Sequence, residues 1–128
     1  IPDLNKKEKM LFLSALYWGE GGKKDLSFIN SDSKMIKIFV DGLKKILNID
    51  PGDIKVSIRI YEDLDREKSL DYWSKIIGIP KSKFVNVDIL KGKKSGKLKH
   101  GLCRVRIKKG GNVLKYLLAL NKRVSEVF

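Results

Sequence analysis

Residues 54–61 constrain this chain more than any other stretch, because they alternate with a period of two. Ile54, Val56, Ile58 and Ile60 fall on one side, and Lys55, Ser57, Arg59 and Tyr61 on the other. An extended strand sends successive side chains to opposite faces, so this one belongs to a sheet with one covered face and one wet face. Residues 101–108 repeat the pattern, setting Cys103, Val105 and Ile107 against Leu102, Arg104, Arg106 and Lys108. Two such strands need helices on their apolar side.

Helical periodicity supplies the cover. Residues 5–18 place Met10, Leu13, Leu16 and Tyr17 at helical spacing behind a charged first turn, with Gly19, Gly21 and Gly22 as the stop. Residues 26–30 read as a short strand. Asp32 is the cap of a second helix running to residue 47, with Met35, Ile36, Phe39, Val40, Leu43 and Leu47 on one face. Pro51 and Gly52 turn the chain. Residues 65–77 form a third helix with Leu70, Trp73, Ile76 and Ile77 inward, ended by Gly78 and Pro80. Residues 84–90 read as a strand, and Gly110-Gly111 opens a last helix carrying Val113, Leu114, Leu117, Leu118 and Leu120. The expected fold is α+β, a mainly antiparallel sheet backed by helices, in one domain over residues 1–128.

Charge identifies the class of partner. The 128 residues hold 28 Lys and Arg against 15 Asp and Glu, a net charge of +13. The excess is concentrated: residues 81–109 carry eleven Lys and Arg and a single acid, Asp88. Such a field draws nucleic acid. On the wet faces of the two strands, Lys55 and Arg59 join Arg104, Arg106 and Lys108. A twisted ribbon bearing cations fits the major groove of double-stranded DNA, where Arg and Lys read guanine edges. Between the later strands, Lys91, Lys93, Lys94, Lys97 and Lys99 sit in a glycine-rich loop too polar to pack, suited to phosphate contacts that carry affinity without sequence discrimination.

Other classes are excluded or weakened. No apolar run approaches the roughly 18 residues of a membrane span, so no membrane partner is expected. The lone Cys103 allows no internal disulfide, which points to the cytoplasm. His100 and Cys103 lack a second pair to complete four zinc ligands, and Cys103 falls on the apolar side of its strand. The chain opens Ile1-Pro2 without an initiator Met, as expected of a piece of a longer protein.

One stretch carries a possible chemistry. Residues 13–21 read Leu-Ser-Ala-Leu-Tyr-Trp-Gly-Glu-Gly and end an apolar helix in a carboxylate between glycines. A helix C-terminus is partially negative, so Glu20 is disfavoured there by about 0.3–1 kcal/mol unless a cation or metal offsets it. An exposed acid ahead of a glycine cap is the plain reading. Ala15 and Gly19, four apart, also leave a smooth strip along which a second helix can approach.

Position by position the stretch resembles the signature of the LAGLIDADG homing endonucleases: Leu13 and Leu16 at the leucines, Ala15 and Gly19 at the small positions, Glu20 at the acid and Gly21 at the closing glycine. Trp18 stands where the family often has Asp. The resemblance implies a homing-endonuclease-like fold and a catalytic, metal-binding Glu20, with the Gly21 carbonyl as a further ligand to Mg²⁺. It also implies a homodimer formed through the motif helix by Leu13, Ala15, Leu16 and Gly19. Lys23, Lys24, Lys97 and Lys99 lie near the motif or the basic loop, and no motif assigns any of them a catalytic role. The chain departs from the family's order, lacking one strand after the motif and adding a helix between the later strands.

Two functions follow. One is metal-dependent, site-specific cleavage of double-stranded DNA, and the other is a non-catalytic DNA-binding regulator on the same scaffold. Binding of RNA is compatible with the charge but has no support in the motif.

Overall fold

Asn5 starts the first helix through a reciprocal cap. Its side chain accepts from the Glu8 N–H at 2.8 Å, and the Glu8 carboxylate accepts from the Asn5 N–H at 2.9 Å. The computed structural model describes residues 2–92 and 98–128. Over these residues it is an α+β fold of four α-helices and a four-stranded, mostly antiparallel sheet. The elements run α1 (Lys6–Glu20), β1 (Ser27–Asn30), α2 (Ser33–Lys45), β2 (Ile54–Tyr61), α3 (Arg66–Ile77), β3 (Asn86–Leu90), β4 (Leu102–Ile107) and α4 (Gly111–Val127).

The strands lie in the order β1-β4-β2-β3. Pairing is antiparallel between β1 and β4 and between β4 and β2, but parallel between β2 and β3. That parallel pair is physically required: α3 carries the chain back along the sheet, and a strand reached by such a crossover runs in the direction it left. Asp32 caps α2, accepting from the N–H groups of Lys34 and Met35, and Asp65 caps α3 through Lys68. Gly78 ends α3 at φ 70°, a left-handed conformation that glycine adopts without strain.

Alternation in β2 and β4 is realised as burial. Val56, Ile58, Ile60, Cys103 and Val105 are almost wholly enclosed, and they join Phe28, Phe39, Tyr17, Leu43, Trp73 and Leu117 in one core. Phe28 and Phe39 stack at 4.4 Å, with Tyr17 5.8 Å from Phe39. Each such side chain contributes about 1.5–3 kcal/mol on burial.

Local differences from the sequence reading have simple causes. α1 passes through Gly19, which an interior turn tolerates at a cost of about 1 kcal/mol, and stops at Gly21. A Cβ at Gly21 would collide with the Tyr17 ring, so the closing position must be bare. Where a strand after the motif is missing, a single antiparallel bridge remains: Gly21 opposite Phe28, with the Gly22 N–H donating to the Ser27 carbonyl at 2.7 Å. β3 begins at Asn86 rather than residue 84, because a 3-10 turn over Lys81–Lys83 occupies the approach. Gly101, at φ 71°, lets β4 start hard against β2, where any Cβ would strike the Arg59 carbonyl oxygen. Just before it, the His100 carbonyl accepts from Trp73 Nε1 at 2.8 Å and its ring lies 3.7 Å over Tyr72, tying β4 to α3. Among the described residues no helix is long and apolar enough to cross a membrane.

Candidate nucleic-acid interface

Register brings the sheet cations together. On the face away from the core, Lys55 stands opposite Arg106, Ser57 opposite Arg104 and Arg59 opposite Leu102, while β1 sets Ser27 beside Arg106 and Ile29 beside Arg104. β2 alone spans roughly 25 Å at about 3.3 Å per residue, a length matching about seven base pairs at 3.4 Å each. Lys55, Arg106 and the exposed Lys108 lie toward one end of the sheet. Arg59 lies toward the other, as do the exposed Lys91, following β3, and Lys99, preceding β4. Lys93, Lys94 and Lys97, expected in the same surface, lie outside the described residues.

These cations differ in what holds them. Arg59 approaches Asp88 of β3 at 3.8 Å, so part of its charge is met within the sheet. Lys55 Nζ donates to the Gly52 carbonyl at 3.1 Å. Arg104 Nε donates to Ser27 Oγ at 3.0 Å across the β1–β4 pair. Among the described residues Arg106 has no ion pair, and it lines a hollow of about 460 Å³ together with Lys24, Lys55 and Asp25. Ser27 and Lys24 were not assigned from sequence. Ser27 alternates with Phe28, which marks the wet side of β1, but a four-residue strand is too short for that pattern to stand out.

The end of α1 answers the electrostatic question that Glu20 raises. Lys23 Nζ donates to the carbonyls of Trp18 at 2.7 Å, Gly21 at 2.8 Å and Tyr17 at 3.4 Å, and sits 5.6 Å from the centre of the Tyr17 ring. An ammonium therefore covers the negative end of the helix. Glu20 is exposed, and its Oε2 accepts from Asn30 Nδ2 at 3.3 Å. The Gly21 carbonyl, expected among the metal ligands, is held by Lys23. Among the described residues no group of three or more His, Cys, Asp and Glu is placed to hold a metal ion.

The two leucines of the motif helix face inward. Leu13 is 2% exposed and packs against Gly42 of α2, so it belongs to the protomer's own core, and Leu16 is half-buried. The open side of α1 carries Ala15 and Gly19 among Leu11, Phe12 and Trp18, the last two about half exposed. Cys103 is buried, and burial pushes its thiol pKa up. Compared with known proteins, the chain matches no family model, no curated sequence and no solved structure.

Proposed function

We propose that this chain binds double-stranded DNA across the outer face of its sheet, as a homodimer joined along the open side of α1. The observation that carries this reading is the row formed by Lys55, Arg104 and Arg106 on paired strands. Lys55 and Arg106 are direct neighbours of like charge, an arrangement that costs a few tenths of a kcal/mol or more in the free protein. An anion lying over them removes that cost. Duplex DNA suits the face better than a single strand, because among the described residues its outward side chains are chiefly cations, serines and the aliphatic Ile29 and Leu102, and Tyr61 is the one ring on it, too few for a stacking platform of aromatics.

The LAGLIDADG likeness implies Mg²⁺-dependent hydrolysis as well. A phosphodiesterase metal needs several hard oxygen ligands, and here the carbonyl beside Glu20 is engaged by an ammonium. Dimerisation adds one more Glu20 and leaves each Lys23 in place. This favours the second reading, a regulator that holds its site without cutting it.

One set of measurements tests both. Duplex binding is followed by anisotropy over a salt series, where the combined Arg104→Ala and Arg106→Ala variant should bind more weakly and with a shallower salt slope. Unchanged affinity would remove the sheet face from the interface. Cleavage of a duplex library in Mg²⁺ or Mn²⁺ that Glu20→Gln abolishes would replace the regulator by the nuclease. Sedimentation should give a dimer for the native chain and a monomer for Phe12→Glu.

A further inference from the structure

We infer that the outer face is divided in labour, with Arg104 reading a guanine edge in the major groove and Arg106, Lys24 and Lys55 clamping a backbone phosphate. This rests on the DNA-binding reading above.

Arg104 occupies the middle of the central strand, flanked by Ile29 on one side and Ser57 on the other, neither of which carries charge. Its Nε–H is committed to Ser27 Oγ at 3.0 Å, and among the described residues no carboxylate meets the guanidinium. That bond fixes the plane of the group, and among the described residues both terminal nitrogens are free. A guanidinium fork of fixed orientation matches the O6 and N7 acceptors of guanine, and fixing it beforehand lowers the rotamer entropy lost on binding. Ser27 is the positioning residue. Ile29 and Leu102 lie beside Arg104 and Arg59 on the same face and give it apolar surface of the kind that meets a thymine methyl.

Arg106 has the opposite character. Among the described residues no side-chain bond fixes it, Lys55 stands directly across from it, and Lys24 lines the same hollow of about 460 Å³ with Asp25 at its edge. Converging cations that present no fixed fork neutralise charge wherever it lies and do not discriminate between bases, which is the behaviour of a phosphate contact.

The test selects preferred duplexes for the full-length chain from a random library, then measures their affinity and that of single-base variants by anisotropy at several salt concentrations. Arg104→Lys keeps the charge and loses the fork, so preference for one G·C pair should fall about 10- to 100-fold with the salt slope unchanged. Ser27→Ala should lose part of that preference, and Ser27→Thr, which keeps a hydroxyl, should restore it. Arg106→Ala should weaken all duplexes alike, reduce the salt slope by about 0.9, and leave the preference intact. Retained preference in Arg104→Lys, or altered preference in Arg106→Ala, overturns the division. Native protein that shows no salt-dependent duplex binding overturns the DNA-binding reading itself. Circular dichroism melts of each variant separate loss of recognition from loss of fold.

Discussion

Tyr17 couples α1 to the strand that follows, and its hydroxyl can be deleted without altering the shape of the core. The oxygen lies 2.5 Å from the Gly22 carbonyl and 3.1 Å from that of Asp25, and it accepts from the Ser27 N–H at 3.1 Å. A phenol has one proton, so the shorter contact, to Gly22, is the one it donates. Tyr17→Phe keeps the ring packed on Phe28 and Phe39 and opens no cavity, but it leaves the Gly22 carbonyl and the Ser27 N–H without partners. An unpaired buried polar group costs about 1–3 kcal/mol. Both residues are half-buried and recover some hydration, so the expected loss is about 2 kcal/mol. A chain of 128 residues unfolds with an entropy of about 0.27 kcal/mol/K, which places the melting temperature about 7 °C lower. Thermal melts followed by far-ultraviolet dichroism and tryptophan fluorescence measure it. A variant melting within about 2 °C of the native chain shows that the hydroxyl does not hold α1 to β1.

The same phenol gives a pH dependence. Burial raises the Tyr17 pKa above its ordinary 10.0, so the folded state disfavours the phenolate; stability from this group is complete below pH 10 and is lost as pH rises through the folded value. Urea midpoints taken between pH 9 and 11 should fall less in Tyr17→Phe than in the native chain, and equal declines would deny the phenol that role. Gly101→Ala should cost about 2–4 kcal/mol in urea unfolding, since its φ of 71° and the facing Arg59 carbonyl both reject a Cβ. A loss under about 1 kcal/mol would mean that β2 and β4 separate easily there. Asn121→Leu should raise stability by about 1 kcal/mol, because the buried amide Nδ2 has no hydrogen-bond partner among the described residues; destabilisation would indicate a bound water at that nitrogen.

Much of the architecture was legible because the deciding signals are local. Period-two alternation in residues 54–61 and 101–108 located the two inner strands and their wet faces, and Asp32, Asp65 and Gly78 marked helix ends by capping chemistry that acts within a few residues. Strand order was not legible, since the pairing of residues 27–30 with 103–106 depends on how helices far apart in sequence pack together. The candidate site divides in the same way. The side on which Lys55, Arg104 and Arg106 lie follows from alternation alone, whereas the bond from Arg104 to Ser27 exists only once β1 and β4 meet. Leu13 and Lys23 show a second limit. The motif spacing set Leu13 among the seam residues, but contact with Gly42 turns it inward. The cation sought for the end of α1 was three residues downstream in a glycine turn whose course the sequence does not specify.

The strand order also governs when the fold can form. β4 occupies an inner position between β1 and β2, yet it is the last strand made, so the edges of β1 and β2 that face it stay unpaired until residue 107 has emerged from the ribosome. The chain must wait with the edges of β1 and β2 bare, and a sheet built on contacts so distant in sequence closes slowly. Arg104 and Arg106 ride on that closing strand. A chain interrupted before it therefore has neither a finished core nor the proposed reading face, and folding and recognition are completed in a single step.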